Sequence, residues 1–271
     1  MTGGRATDPP VRLGVLGDPL AFTLSPVLHR AALESLGIAG ESSAIPTPRE
    51  ALAARLRELA TRGFRGVNLT HPLKEAALAE LAHVSDEARR ARSVNTVSFE
   101  ASGASGDSTD GPGFLDLLAS RGRAPGRERV VLLGAGGAAR SLALALAGAG
   151  ATVTMSARSD AAPDDVPGAR VEWRSPAEAE ALAAASLIVN ATPLAGAAGA
   201  VALEGLPRHA LLIDLVYGAE VTPWVVRARA LGFEALDGLG LLVFQARRSL
   251  ERWLGRRVEV EPLARAVGWP R

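Results

Sequence analysis

Residues 129–139, RVVLLGAGGAA, carry the clearest structural signal in the chain. Val130 to Leu133 read as a short buried strand, the glycines follow with no spacer, and an Ala/Leu helix pattern continues from Ser141. In that setting Gly134-Ala135-Gly136-Gly137-Ala138-Ala139 fits G-x-G-x-x-A. The first glycine permits the tight turn, and the second lets the backbone approach a pyrophosphate. The small last position lets the helix pack closely, with the anion at its N-terminus. A plain packing turn explains the small residues but not their place between strand and helix. The next strand, 151–155, ends at Ser156-Ala157-Arg158-Ser159. An NAD site usually puts a carboxylate there for the ribose 2′-hydroxyl. Arg158 suits a 2′-phosphate instead, with Ser156 and Ser159 as further donors, so NADP is the expected cofactor. Two later strands, 186–190 and 211–216, run into Asn190-Ala191-Thr192-Pro193 and Tyr217. Asn190, Thr192 and Leu215 lie where the carboxyl ends of parallel strands would line the cofactor crevice, and Gly238 is a further candidate on the cofactor side.

Upstream, residues 11–16 and 66–69 read as strands, and Ser25-Pro26 as an N-cap with proline at the first helical position. An amphipathic helix covers 49–62, Thr70-His71-Pro72 opens a helix with Lys74 in its first turn, and 94–99 is strand-like. This alternation indicates parallel α/β construction. The Gly/Ser-rich ASGASGDSTDGPG, 101–113, reads as one loop, and Asp237-Gly238-Leu239-Gly240 as a break before a long helix, 241–254. The fold class expected is therefore α/β with two domains, an N-terminal α/β substrate domain and a Rossmann-like domain, the C-terminal helices returning to the first. The expected boundaries are 1–109 plus 239–271 for the first and 110–238 for the second. The glycines at 111–113 and 238–240 would be hinges between them.

With 30 basic against 29 acidic residues the formal net charge is +1, which argues against nucleic acid or an anionic membrane as partner. There is no cysteine, and the four histidines show no metal-ligand spacing, so no metal is expected. No apolar run is long enough to span a membrane, and a cytoplasmic protein is expected. Of the 30 basic residues 29 are arginine; Lys74 is the only lysine. Arginine serves for surface charge but does not give up a proton in a working enzyme, whereas lysine can. A lone lysine left by drift is the bland alternative, yet the other scarce residues, Tyr217, Gln245 and Asn68, Asn95 and Asn190, also fall in motif-like segments.

In order along the chain, GVLGDPLAFTLSPVLH, GVNLTHPLK, SVNT, STDGPG, GAGGAAR, NATP, DLVYG and DGLGLLVFQ resemble the signatures of the shikimate dehydrogenase family. The resemblance implies NADPH-dependent reduction of 3-dehydroshikimate to shikimate, a step toward aromatic amino acids. It also implies Lys74 and Asp110 as catalytic residues. Thr23, Ser25, Thr70, Asn95, Asp110, Tyr217 and Gln245 would contact substrate, in a monomer or homodimer. Departures from the pattern are Thr23 for serine, Ser108 for asparagine, and Ala157 and Ser159 flanking Arg158 where Asn-Arg-Thr is usual. Ala219 replaces proline and Leu241 replaces methionine near the nicotinamide. Two alternatives remain: a quinate or broader cyclohexane-polyol dehydrogenase, and a non-catalytic NADP-binding regulator that has no need of the Lys74/Asp110 pair.

Overall fold

The computed structural model describes residues 9–20, 22–158, 165–194 and 201–271, so Ser159 lies outside the described residues. The strands are β1 Val11–Gly17, β2 Gly40–Pro46, β3 Phe64–Leu69, β4 His83–Val84, β5 Thr96–Glu100 and β6 Gly103–Asp107. They continue with β7 Arg129–Leu133, β8 Thr152–Ala157, β9 Ala169–Glu172, β10 Leu187–Asn190, β11 Leu211–Asp214 and β12 Ala235–Leu236. The helices are α1 Ser25–Ser35, α2 Leu52–Thr61, α3 Leu73–Ala76, α4 Asp86–Ala91 and α5 Asp110–Ser120. After these come α6 Gly137–Gly148, α7 Pro176–Ala183, α8 Pro223–Ala230, α9 Leu239–Leu254 and α10 Val260–Val267.

The first sheet has the order β2-β1-β3-β5-β6-β4. Its first three strands are parallel, but β5 runs antiparallel to both β3 and β6, so the first sheet is mixed. The cause is the stretch read as one loop: Gly103–Asp107 pairs back on β5 as a hairpin, and Asp110 to Gly113 form the first turn of α5. Small residues serve tight packing there. A Cβ on Gly106 would lie 2.5 Å from Leu81, and one on Gly111 would lie 2.6 Å from the Ser141 carbonyl oxygen. The glycines of α5 are close-approach sites inside a helix, where their composition suggested a loop.

The second sheet, β12-β11-β10-β7-β8-β9, is parallel throughout. From β7 the chain builds outward through β8 and β9, then crosses to β10 on the other side. The switch point therefore lies between β7 and β10, where parallel sheets open a crevice at their carboxyl ends.

Helix α9 joins the two halves. Its N-terminal half, Leu239 to Ala246, is buried throughout and apolar except for Gln245. Leu242, Val243, Leu250 and Trp253 share a core with Leu13, Leu28 and Leu263, while Leu241 and Phe244 pack with Phe114, Leu142 and Ile213. Trp253 Nε1 donates to the Val97 carbonyl at 3.0 Å. Its ring occupies the space where a Cβ on Gly66 would stand.

Candidate functional site

Lys74 sits on the one-turn helix α3, whose Lys74 carbonyl accepts from Val94 N–H at 2.8 Å. Its Nζ donates to Asp110 Oδ2 at 2.6 Å. Asp110 opens α5, where a carboxylate is favoured by the helix dipole, and its side chain is 6% exposed against 24% for Lys74. The other Asp110 oxygen accepts from Asn95 Nδ2 at 2.7 Å. The Asn95 amide has one orientation because its Oδ1 accepts from Thr109 N–H at 2.8 Å. Gln245 Oε1 also receives from Asn95 Nδ2, at 3.2 Å, and Gln245 Nε2 donates to the Leu242 carbonyl.

These groups line a cleft of about 250 Å³. Thr23, Ser25, Thr70, Lys74, Asn95, Asp110, Tyr217 and Gln245 all face it, so the structure brings the substrate and proton-handling candidates together. Ala138, Leu215 and Gly238, expected on the cofactor side, line the same cleft. Burial pushes the Tyr217 phenol up from its ordinary pKa, leaving it a neutral O–H at neutral pH. Phe22 lies 6.1 Å from it across the mouth. Ser25 is the first residue of α1 and not its cap. Leu24 takes that position, and the Ser25 N–H points at Thr23 Oγ1, 3.4 Å away.

A second groove, about 380 Å³, is lined by Gly134, Ala135, Gly136, Arg158 and Thr192. Gly134 has φ +115°, which requires glycine, while a Cβ on Gly136 would meet nothing within 4 Å. Backbone at Gly136 is thus open to a ligand at the N-terminus of α6, an arrangement that fits a dinucleotide pyrophosphate. Arg140 reinforces it. Buried on α6, it donates to the carbonyls of Ala91, Arg92 and Ala135 and pairs with Glu75 beside Lys74.

Three cofactor candidates face neither cavity. Ala139 is packed in the core of the second sheet. Gly137 abuts Ser93, whose Oγ would lie 2.6 Å from an added Cβ. Asn190 is fully buried: its Nδ2 donates to Asp214 Oδ1 at 2.9 Å, and its Oδ1 accepts from the Thr192 hydroxyl at 2.6 Å. It shapes the turn that presents Thr192. Burial in turn pushes the Asp214 carboxyl up. Ser156 is also corrected as a phosphate donor, because its hydroxyl is spent on the buried Glu178 carboxylate.

The first cleft is also lined by Asn68, which the sequence singled out only for its scarcity, and by Phe22, and the second by Trp173. Trp173 follows β9, and the guanidinium groups of Arg158 and Arg174 lie 5.8 and 4.5 Å from its ring centroid. The scarcity of asparagine was a signal for Asn68; none marked Trp173. Among the described residues no cluster of three or more His, Asp or Glu is arranged to hold a metal. No helix among them is long and apolar enough to cross a membrane.

Comparison with known proteins gives a consistent result. Residues 15–97 match the family model of the shikimate dehydrogenase substrate binding domain. The shikimate dehydrogenase (NADP(+)) of Acidiphilium cryptum is 42% identical, over 89% of this chain and 90% of its own length. The shikimate 5-dehydrogenase of Thermus thermophilus, solved with NADP(H) and shikimate, superposes with a TM-score of 0.86 at 39% identity. That match covers 95% of this chain and 98% of the other. The ligand-free 5-ketofructose reductase of a Gluconobacter strain has a TM-score of 0.83 at 27% identity, over 96% and 99% of the two chains.

Proposed function

This chain belongs to the shikimate dehydrogenase family, and from that premise we propose how its residues divide the work. It is an NADP-dependent oxidoreductase that interconverts 3-dehydroshikimate and shikimate in the pathway to aromatic amino acids. The observation that carries the residue assignment is the 2.6 Å Lys74–Asp110 ion pair in a cleft shared with the carboxyl ends of the second sheet.

NADPH, when bound, supplies the hydride to the substrate carbonyl carbon. The carbonyl oxygen then carries the electron pair released from the C=O bond and needs a proton. The Lys74 ammonium stabilises that charge and donates the proton, leaving a neutral amine that solvent reprotonates. In the oxidation direction the same amine takes the hydroxyl proton. Asp110 holds the Lys74 head at one point and Asn95 holds Asp110, so little reorganisation is needed when charge develops. Thr23, Ser25, Thr70, Tyr217 and Gln245 present hydroxyl and amide donors to a carboxylate and ring hydroxyls. Gly134 to Gly136 approach the pyrophosphate, Arg140 adds fixed positive charge, and Arg158 meets the 2′-phosphate beside Trp173. Residues 1–109 with 239–271 form the substrate unit and 110–238 the cofactor unit. A cytoplasmic monomer or homodimer goes with this reading.

Absorbance at the NADPH band decides the function. With NADP⁺ the protein should oxidise shikimate and show little turnover of quinate. Faster turnover of quinate, or turnover only of 5-ketofructose with NADPH, would favour a different polyol or ketose. No turnover with tight NADP⁺ binding would favour a regulator.

A further inference from the structure

His29 is fully buried on α1, lines neither cavity, and takes no part in the proton transfer described above. Its two ring nitrogens are nevertheless both engaged. Nδ1 lies 2.8 Å from Ser42 Oγ and Nε2 lies 3.0 Å from Asn68 Oδ1. The far side of the Asn68 amide fixes which nitrogen carries the proton. Asn68 Nδ2 is 3.0 Å from the Asn95 carbonyl oxygen, so that end must be the NH2 and the other end is an acceptor. His29 Nε2 must therefore carry the hydrogen. Burial lowers the His29 pKa to about 4, so the ring is neutral, Nδ1 is bare, and the Ser42 hydroxyl donates to it.

The chain then continues into the site. Asn68 Nδ2 also donates to Ser249 Oγ at 3.0 Å, and Ser249 Oγ lies 3.1 Å from the Gln245 carbonyl one turn earlier on α9. Asn95, whose carbonyl Asn68 holds, supplies the amide on Asp110. The other tautomer of His29 would invite the Asn68 amide to turn over. Its oxygen would then oppose the Asn95 carbonyl, two acceptors face to face. Tautomer and amide orientation are one linked choice, and Trp253, edge-on at 5.3 Å, keeps the ring in place.

We propose that His29 is a positioning residue for this enzyme. As the neutral Nε2–H tautomer it fixes the Asn68 amide, and through Asn68 it holds both the Asn95–Asp110–Lys74 arm and the Gln245 helix. The proposal rests on the dehydrogenase reading above. One arm of its test stands apart from that reading.

In that arm the wild-type protein is labelled with 15N-histidine and long-range 1H–15N correlations are recorded from pH 7 to pH 5. One ring should stay neutral throughout with Nε2 protonated and Nδ1 bare. A neutral Nδ1–H ring at His29, or a charged one, would overturn the proposal whatever the enzyme acts on. The second arm compares His29→Leu with His29→Gln, whose amide can donate to Asn68 and accept from Ser42. Leucine should lower kcat for shikimate about tenfold or more and raise its KM, with NADP⁺ affinity by direct titration unchanged. Glutamine should restore kcat to within about threefold. A purely structural role would lower the melting temperature of both variants and leave kcat and KM alone. That result, or a glutamine variant as impaired as leucine, sinks the idea. Should His29→Leu fail to fold, Ser42→Ala gives a milder version with the same expected split between turnover and cofactor affinity. Loss of wild-type shikimate turnover would count against the assigned function only, since the labelling arm would still read the tautomer.

Discussion

Lys74 and Asp110 meet at 2.6 Å although they lie 36 positions apart in the chain, and the scarcity of lysine pointed to one half of that pair. Replacing Lys74 with alanine should lower kcat by roughly 10²–10⁴, the usual span for a lost general acid–base group, with shikimate KM changing less. Steady-state rates near wild type would remove Lys74 from the chemistry. Arg158→Glu should weaken NADP⁺ binding and leave NAD⁺ nearly untouched, because a carboxylate repels the 2′-phosphate; parallel calorimetric titrations with the two nucleotides check it. His29 gives a pH dependence of stability. Its folded pKa, about 4, lies below the 6.5 of a free histidine, so the unfolded chain binds the proton more readily. Stability is therefore complete above pH 6.5 and is lost as pH falls from there toward 4, by roughly 3 kcal/mol. Urea melts at pH 7 and pH 4.5 should show a smaller loss for His29→Gln than for wild type. Equal losses would show that the histidine is not the acid-sensitive group. Residues whose role is local chemistry were legible as letters in a motif. Ser156 was not, since its hydroxyl is claimed by Glu178 of α7, a contact across 22 positions that no motif encodes.

At the scale of elements, the least legible piece was ASGASGDSTDGPG. Its glycines and serines have loop composition, but the reasons they are small are tertiary: β6 lies under Leu81 and Val94, and α5 is wedged between two helices. Gly111 faces α6, and a Cβ on Gly113 would stand 2.7 Å from Gln245 N and 2.8 Å from its Cα. Arg247 and Arg248 of α9 then clamp Asp116 of α5, each at 2.7 Å. Gly113→Ala must therefore push α9 away from α5 and carry Gln245 with it. The expected cost is about 1–3 kcal/mol of stability, typical of overpacking, with a raised KM for shikimate. Gly148→Ala, where nothing lies within 4 Å of the added Cβ, is the matched control. It should be neutral or stabilise by up to about 1 kcal/mol. Unchanged shikimate KM in Gly113→Ala would mean the contact with Gln245 is slack. By contrast the strand-turn-helix order of β7 and α6 was readable, because the turn between them is a backbone requirement at Gly134 that only glycine meets.

For the whole molecule, the sequence implied two units, and in the structure one helix, α9, contributes to the apolar cluster of each sheet. Phe114, Leu117 and Leu118 of α5, with Leu241 and Phe244 of α9, lie in one apolar cluster with β7, β10 and β11. The opposite side of α9 completes the core under β1 through Leu242, Val243 and Trp253. Gly238 is equally confined, since an added Cβ would lie 2.2 Å from the Leu215 carbonyl oxygen. Helix α9 thus cannot leave one sheet without opening the core of the other. Thermal unfolding should then be a single cooperative transition, with calorimetric and van't Hoff enthalpies equal. A ligand of the second sheet must in consequence protect the first. NADP⁺ at 100 times its dissociation constant contributes about 2.7 kcal/mol to the folded state. If the molecule opens as one unit, the slowest-exchanging amides of β1 and β3 should gain nearly all of that protection, although they lie outside the nucleotide groove. Hydrogen exchange with and without NADP⁺ measures this directly. Protection confined to β7–β11, or two calorimetric peaks of which NADP⁺ shifts only one, would show that the sheets unfold separately and that α9 detaches from one of them first.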